Sequence, residues 1–156
     1  MPFSKSLVII GHAPSPNTQR MVRGILDGAN NYTNLSVQTH FIPALDAVSS
    51  DVLNADGVIL FTPENLGYMS GALKEFFDRH YYSCLNKTDG LASAIIIRAG
   101  SDGTGTKRAL KSILTGLRWK LVQEPLICRG SFEPAFISQC EALGASMSAG
   151  LEMGIM

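Results

Sequence analysis

Three stretches hold most of the side chains and bare backbone that could grip a ligand. They are His12-Ala13-Pro14-Ser15-Pro16-Asn17-Thr18, Thr62-Pro63-Glu64-Asn65-Leu66-Gly67-Tyr68 and Gly100-Ser101-Asp102-Gly103-Thr104-Gly105. In the first, two hydroxyls, an amide and the unpaired N–H groups at the start of a helix make a natural cradle for a phosphate. Plain helix capping by Ser15 or Asn17 uses the same residue types. In the second, Thr62-Pro63 stiffens the turn, and Glu64-Asn65-Leu66-Gly67 offers backbone and side-chain polar groups. In the third, the glycines let the backbone pass very close to a ligand, or simply make a flexible connection.

Several other chemistries are excluded. GSDGTGTK, residues 100–107, has Thr106 where a Walker A loop needs its lysine. No GxGxxG follows the first apolar run, so a Rossmann dinucleotide site is absent. There is no GxSxG nucleophile elbow. The acidic positions of a receiver domain read Gly-His-Ala and Phe-Thr-Pro instead. Cys84, Cys128 and Cys140 form no CxxC pair and have no histidine at zinc-ligand spacing, so no metal site is expected.

The elements that must position these stretches follow from periodicity. Leu7–Ile10, Val58–Phe61 and Ala94–Ile97 are continuous apolar runs, as expected for strands covered on both faces. The stretch from Leu35 to Phe41 alternates and reads as a strand nearer an edge. Leu121–Cys128 reads as a last strand, interrupted by polar residues and placed at an edge by Pro125. Helical spacing covers Thr18–Ala29, Ser70–Tyr82 and Lys107–Leu117. A last helix runs from Pro134 to about Leu151, and PALDAVSSDVLNAD holds a short one. The alternation predicts a doubly wound α/β fold: one five-stranded parallel sheet with helices on both faces. Each glycine- and proline-rich stretch then follows a central strand, and all three meet at one rim, where ligands bind in such sheets.

The totals agree with this picture. A chain of 156 residues fits one domain, residues 1–156, with a sizeable core. Thirteen basic and thirteen acidic residues balance, which speaks against nucleic-acid binding through a basic face. Three cysteines without a framework suit a reducing compartment. The apolar run near the start has only four residues, too short for a signal peptide or membrane span, so a cytoplasmic protein without membrane insertion is expected.

Residues 55–79, ADGVILFTPENLGYMSGALKEFFDR, resemble the pattern of NAD(P)H-dependent FMN and quinone reductases of the flavodoxin-like superfamily. There an Ala-Asp, an apolar strand, Thr-Pro-Glu, a glycine-containing loop and a helix with Leu-Lys and Phe-x-Asp follow in that order. The first and third loops agree more loosely, across residues 6–130. The resemblance implies a flavodoxin-like sheet of order 2-1-3-4-5. It also implies FMN as cofactor, NAD(P)H as electron donor, a quinone, flavin or similar small acceptor, and a homodimer or homotetramer. By the same analogy Ser15, Asn17 and Thr18 hold the FMN phosphate; His12 either donates to it or to ribityl oxygens or is a solvated loop residue. Pro63, Glu64, Asn65, Leu66, Gly67 and Tyr68 run along the ring, and Gly100, Ser101, Asp102 and Gly103 flank it. No side-chain acid or base is required for the hydride transfer.

Two departures stand out. The third loop carries no aromatic to stack on the ring, leaving one face open, and no arginine precedes Arg20 in the first loop. A flavodoxin-type electron carrier, and a flavodoxin-like domain without FMN that serves as an interaction module, are the alternative readings. Arg98 is expected to neutralise phosphate or to pair with Asp102, and Trp119 to lie in the core.

Overall fold

A continuous apolar strand has two faces to bury, and the fold meets that demand with two helical layers. The computed structural model describes residues 4–31 and 36–156. Its elements are β1 (Lys5–Gly11), α1 (Pro16–Asn31), β2 (Val37–Pro43), α2 (Ser49–Leu53), β3 (Gly57–Asn65), β4 (Tyr68–Met69), α3 (Gly71–Cys84), β5 (Ala92–Ala99), α4 (Thr104–Leu117), β6 (Lys120–Leu121), β7 (Leu126–Arg129) and α5 (Pro134–Met153). Leu35, the expected first residue of the second strand, lies outside the described residues.

The sheet runs β2-β1-β3-β5, with β6 and β7 both on the free side of β5. All these pairings are parallel. This is the expected 2-1-3-4-5 order, with one change at its last position. The fifth strand is two fragments rather than one. β6 faces Ala92–Ser93 and β7 faces Ile96–Ala99. Four residues (122–125) therefore span a gap that β5 crosses in two (94–95), so the chain bulges out between the fragments. Pro125 has no N–H to give the ladder, and an edge position is where a sheet tolerates that loss.

Alternate residues of each central strand feed opposite layers. Leu7, Ile9, Ile59, Phe61, Ala94 and Ile96 pack under α1 and α5. Val8, Ile10, Val58, Leu60, Ile95 and Ile97 pack under α3 and α4, where Leu73, Phe76, Phe77, Leu110 and Leu114 close the core. Trp119 is in this second core as expected, its indole N–H donating to the Thr88 hydroxyl at 2.8 Å.

Glycines of both helices, which weaken them in isolation, let α5 press against α1. A Cβ on Gly28 would stand 1.9 Å from the Glu141 carbonyl oxygen, and one on Gly144 2.2 Å from that of Ile25. Gly28→Ala is expected to cost about 3 kcal/mol, because backbone rather than a flexible side chain must move. Gly71→Ala, at a position with nothing within 4 Å, should stay within about 0.5 kcal/mol of wild type. Urea unfolding at constant m-value reads both.

Candidate functional site

The three loops do share one rim, and contacts stitch each to the next. β1 ends where it comes closest to β3: a Cβ on Gly11 would lie 2.3 Å from the Phe61 carbonyl oxygen. That same oxygen accepts the His12 N–H at 3.1 Å, and the Gly11 carbonyl accepts the Ala44 N–H at 2.8 Å. The first loop therefore leaves the sheet from a fixed point. The half-buried His12 ring has no hydrogen-bond partner among the described residues.

Ser15 and Thr18 form a reciprocal cap on α1. The Thr18 N–H donates to the Ser15 hydroxyl (3.2 Å), the Ser15 N–H to the Thr18 hydroxyl (3.0 Å), and the two hydroxyls sit 2.8 Å apart. The capping reading thus describes both side chains, and Thr18 is buried. Pro16 opens the helix where a missing N–H costs nothing. What remains for an anion is the first-turn backbone around exposed Asn17, with no acidic residue in that turn.

Arg20 supplies the cation that the first loop lacks. From inside α1 its guanidinium reaches back to the Asn17 side-chain oxygen at 3.4 Å and lies 5.3 Å from the Phe132 ring centre. Helical side chains lean toward the N-terminus, so a residue three positions on can serve the first turn. That i, i+3 spacing was the available signal for Arg20; none marked Phe132, which arrives from the loop after β7.

The second loop is a hairpin rather than an irregular loop. β3 continues to Asn65 and pairs back onto Tyr68–Met69. Leu66 and Gly67 make the two-residue turn, both with positive φ (55° and 77°), as a type I′ connection requires. Leu66 is 105% exposed and Tyr68 39% exposed at this tip. At the base, fully buried Thr62 accepts the Ser70 N–H at 2.9 Å, and the Ser70 hydroxyl accepts the Leu73 N–H at 3.2 Å to cap α3.

Glu64 binds the second stretch to the third. Its carboxylate accepts the Gly103 N–H at 3.2 Å and the Thr106 hydroxyl at 2.9 Å, seated on the N-terminus of α4. Gly103, with φ of 79°, is the N-cap residue and has no side chain to cap with. Gly100 faces open space, and Ser101 and Asp102 are exposed. Asp102 bonds the Thr104 hydroxyl, and its carbonyl accepts from Arg129.

Arg98 does not pair with Asp102. Its guanidinium donates to the carbonyls of Ala99 (2.7 Å) and Cys128 (3.2 Å) and lies over Phe136 at 5.1 Å. One guanidinium nitrogen makes both of these bonds, and the Ala99 carbonyl also accepts the Gly130 N–H at 3.0 Å, so Arg98 ties the end of β5 to the end of β7. Lys107 pairs with Glu124 at 2.8 Å and holds that carboxyl below its ordinary range.

The arrangement sorts the rim by charge. The α4 N-terminus already carries a carboxylate, and the α3 N-terminus is closed by buried Ser70. The α1 N-terminus, with Arg20 beside it, is left to receive an anion. Hairpin backbone and the glycine-rich third loop form the other end.

The cysteines take no part. All three are free and buried. Burial raises the Cys84 thiol, with smaller opposing pulls from Lys87 and Ser49. It pushes Cys128 up to about 11 against Arg98. It raises Cys140 further still, helped by Cys128 and Glu141.

A family model described as NADPH-dependent FMN reductase matches residues 8–132. A flavodoxin of Aquifex aeolicus (strain VF5) is 30% identical over 111 residues, 71% of this chain and 59% of that protein. The chain thus spans about three-fifths of the length of this relative. Solved structures show the same flavodoxin-like fold. One is a flavodoxin from the domain Archaea, with TM-score 0.80, 15% identity and coverage of 94% of this chain and 99% of that one. Another is flavodoxin 1 from Bacillus cereus, with TM-score 0.75, 22% identity and coverage of 93% and 98%. A third is a WrbA-like protein from Agrobacterium tumefaciens, with TM-score 0.74, 18% identity and coverage of 96% and 99%.

Two outcomes are expected. Ser15→Ala should cost about 1 kcal/mol in urea unfolding, the usual worth of a lost cap. The second concerns the thiols. A folded value above the ordinary one means that the stability held by protonated Cys128 is complete below about 9 and is lost as pH rises through about 11. The urea midpoint of wild type should therefore fall more steeply than that of Cys128→Ala between pH 9 and 11.

Proposed function

The chain belongs to the NADPH-dependent FMN reductase family, and from that premise we propose that it is an FMN-binding oxidoreductase. It takes electrons from NAD(P)H and passes them to a quinone, a flavin or a similar small acceptor. The observation that carries this reading is the polarity of the rim: an α1 N-terminus left for an anion, opposite a hairpin and third loop that present backbone.

The residues present fit the cofactor. Asn17, the first-turn backbone of α1 and Arg20 hold the phosphate; Ser15 and Thr18 act on it by fixing that turn. His12, without a hydrogen-bond partner among the described residues, reaches the phosphate or the ribityl chain. Pro63 to Tyr68 line one side of the ring and Gly100 to Gly103 the other. A Cβ at Gly67 or Gly100 would meet nothing within 4 Å, so the surface there is open to a flat group. When bound, FMN supplies the hydride and electron chemistry; the protein supplies orientation and charge. Tyr68 is the aromatic available to cover the ring, and the third loop offers none. The ring is then open on that side to a donor or acceptor, which a carrier handing over single electrons does not need.

The active unit is residues 1–156 as one flavodoxin-like domain, in a homodimer or homotetramer, with Tyr82, 82% exposed on α3, as the aromatic of the contact face. Its unpaired cysteines suit the reducing cytoplasm. Among the described residues no helix is long and apolar enough to cross a membrane. The electron-carrier reading rests on the 30% identity to the Aquifex flavodoxin.

Titration of the purified protein with FMN, followed by absorbance and fluorescence, should show a shifted flavin band and saturable binding. Arg20→Ala should weaken that binding at least about tenfold, the worth of one charge-assisted contact. Steady NAD(P)H oxidation with a quinone supports the reductase. FMN binding without turnover on any acceptor supports the carrier, and an unchanged flavin spectrum overturns both.

A further inference from the structure

We propose that Glu64 is a positioning residue: its carboxylate, lodged on the N-terminus of α4, holds the β3–β4 hairpin and the third loop at the separation the flavin ring requires. The second half of this statement rests on the FMN reading; the first does not. Four observations carry it.

Glu64 bonds residues 39 and 42 positions away in sequence, so the contact is made by the fold and not by the local chain. Its two acceptor oxygens take one donor each, the Gly103 N–H and the hydroxyl of fully buried Thr106. Gly103 cannot cap α4 with a side chain; the carboxylate instead takes the N–H of this N-cap residue and the hydroxyl of the third helical residue, tying the first turn of α4 to the hairpin. The hairpin tip also rests on the same helical turn: a Cβ on Gly105 would stand 2.7 Å from the Gly67 carbonyl oxygen. Hairpin and α4 therefore form one wall, with an acidic strap inside it. Because the strap fills the α4 N-terminus, removing the side chain should leave a vacant anion site there.

The test uses Glu64→Ala, Glu64→Gln and Glu64→Asp in the full chain. Gln keeps the reach, one acceptor for Gly103 and a donor for the Thr106 oxygen; Asp keeps the charge but falls one methylene short. Amide exchange is measured without FMN over residues 64–70 and 100–106, and FMN affinity by fluorescence. In Glu64→Ala, exchange in both segments should rise about tenfold, and the FMN Kd should rise at least about tenfold. Glu64→Gln should stay within about threefold of wild type in both. Added formate, a free carboxylate, should partly restore Glu64→Ala and leave Glu64→Gln unmoved. If Glu64→Ala does not fold, Glu64→Asp carries the same comparison. Unchanged exchange in 100–106 overturns the strap, and raised exchange with an unchanged Kd overturns the positioning role. A wild type that binds no FMN overturns the flavin reading, while the exchange contrast still supports the strap.

Discussion

The strand β3 is hydrogen-bonded along both edges, to β1 and β5, and Gly57 to Thr62 are buried. A strand held this way has no group to offer a ligand until it leaves the sheet. The rim is built around that exit. The Phe61 carbonyl receives the start of the first loop, the Thr62 hydroxyl receives the start of α3, and the Glu64 carboxylate receives the start of α4. Three elements far apart in the chain are therefore registered against residues 61–64 of one central strand. A shift of β3 by one residue would exchange its two faces and dismantle all three contacts together.

Charge at the rim follows from how each helix N-terminus is satisfied. These termini carry partial positive charge, and each needs acceptors. Ser70 accepts one first-turn N–H of α3, and the Glu64 carboxylate accepts the N–H of the α4 N-cap residue. α1, like α3, is capped by a hydroxyl, which accepts an N–H without adding negative charge, and α1 has Arg20 beside its first turn as well. A chain of zero net charge thereby keeps a local positive site at the α1 N-terminus, strengthened by Arg20. The same distribution separates the phosphate end of the proposed ligand from its ring end.

Much of the fold was legible in the residues. Apolar runs of four marked the three central strands, and helical spacing marked α1, α3, α4 and α5, because burial on a regular lattice imposes regular periods. Two features departed from expectation. Pro125 broke the last strand into β6 and β7, a consequence visible only once the register with β5 is known. The stretch from Glu64 to Tyr68 folded as a hairpin although Leu-Gly lacks the Asn or Asp that usually signals a type I′ turn. There the pairing to β4 and the contact of Gly67 with Gly105 override the preference of leucine against positive φ.

The sequence by itself determined the alternation of strands and helices, the three polar loops that follow central strands, and the TPE-containing pattern of a family. All of these are local: they depend on residue type and on spacing within some twenty positions. Only the tertiary structure decided how the polar groups are used. It turned the Ser15 and Thr18 hydroxyls into a cap, brought Arg20 back over the first turn against Phe132, and sent Arg98 to two carbonyls instead of to Asp102. It also placed the Glu64 carboxylate on a helix forty residues away. Each of these groups had several feasible partners, and the choice among them was made by sheet order, which sets the elements that become neighbours at the rim.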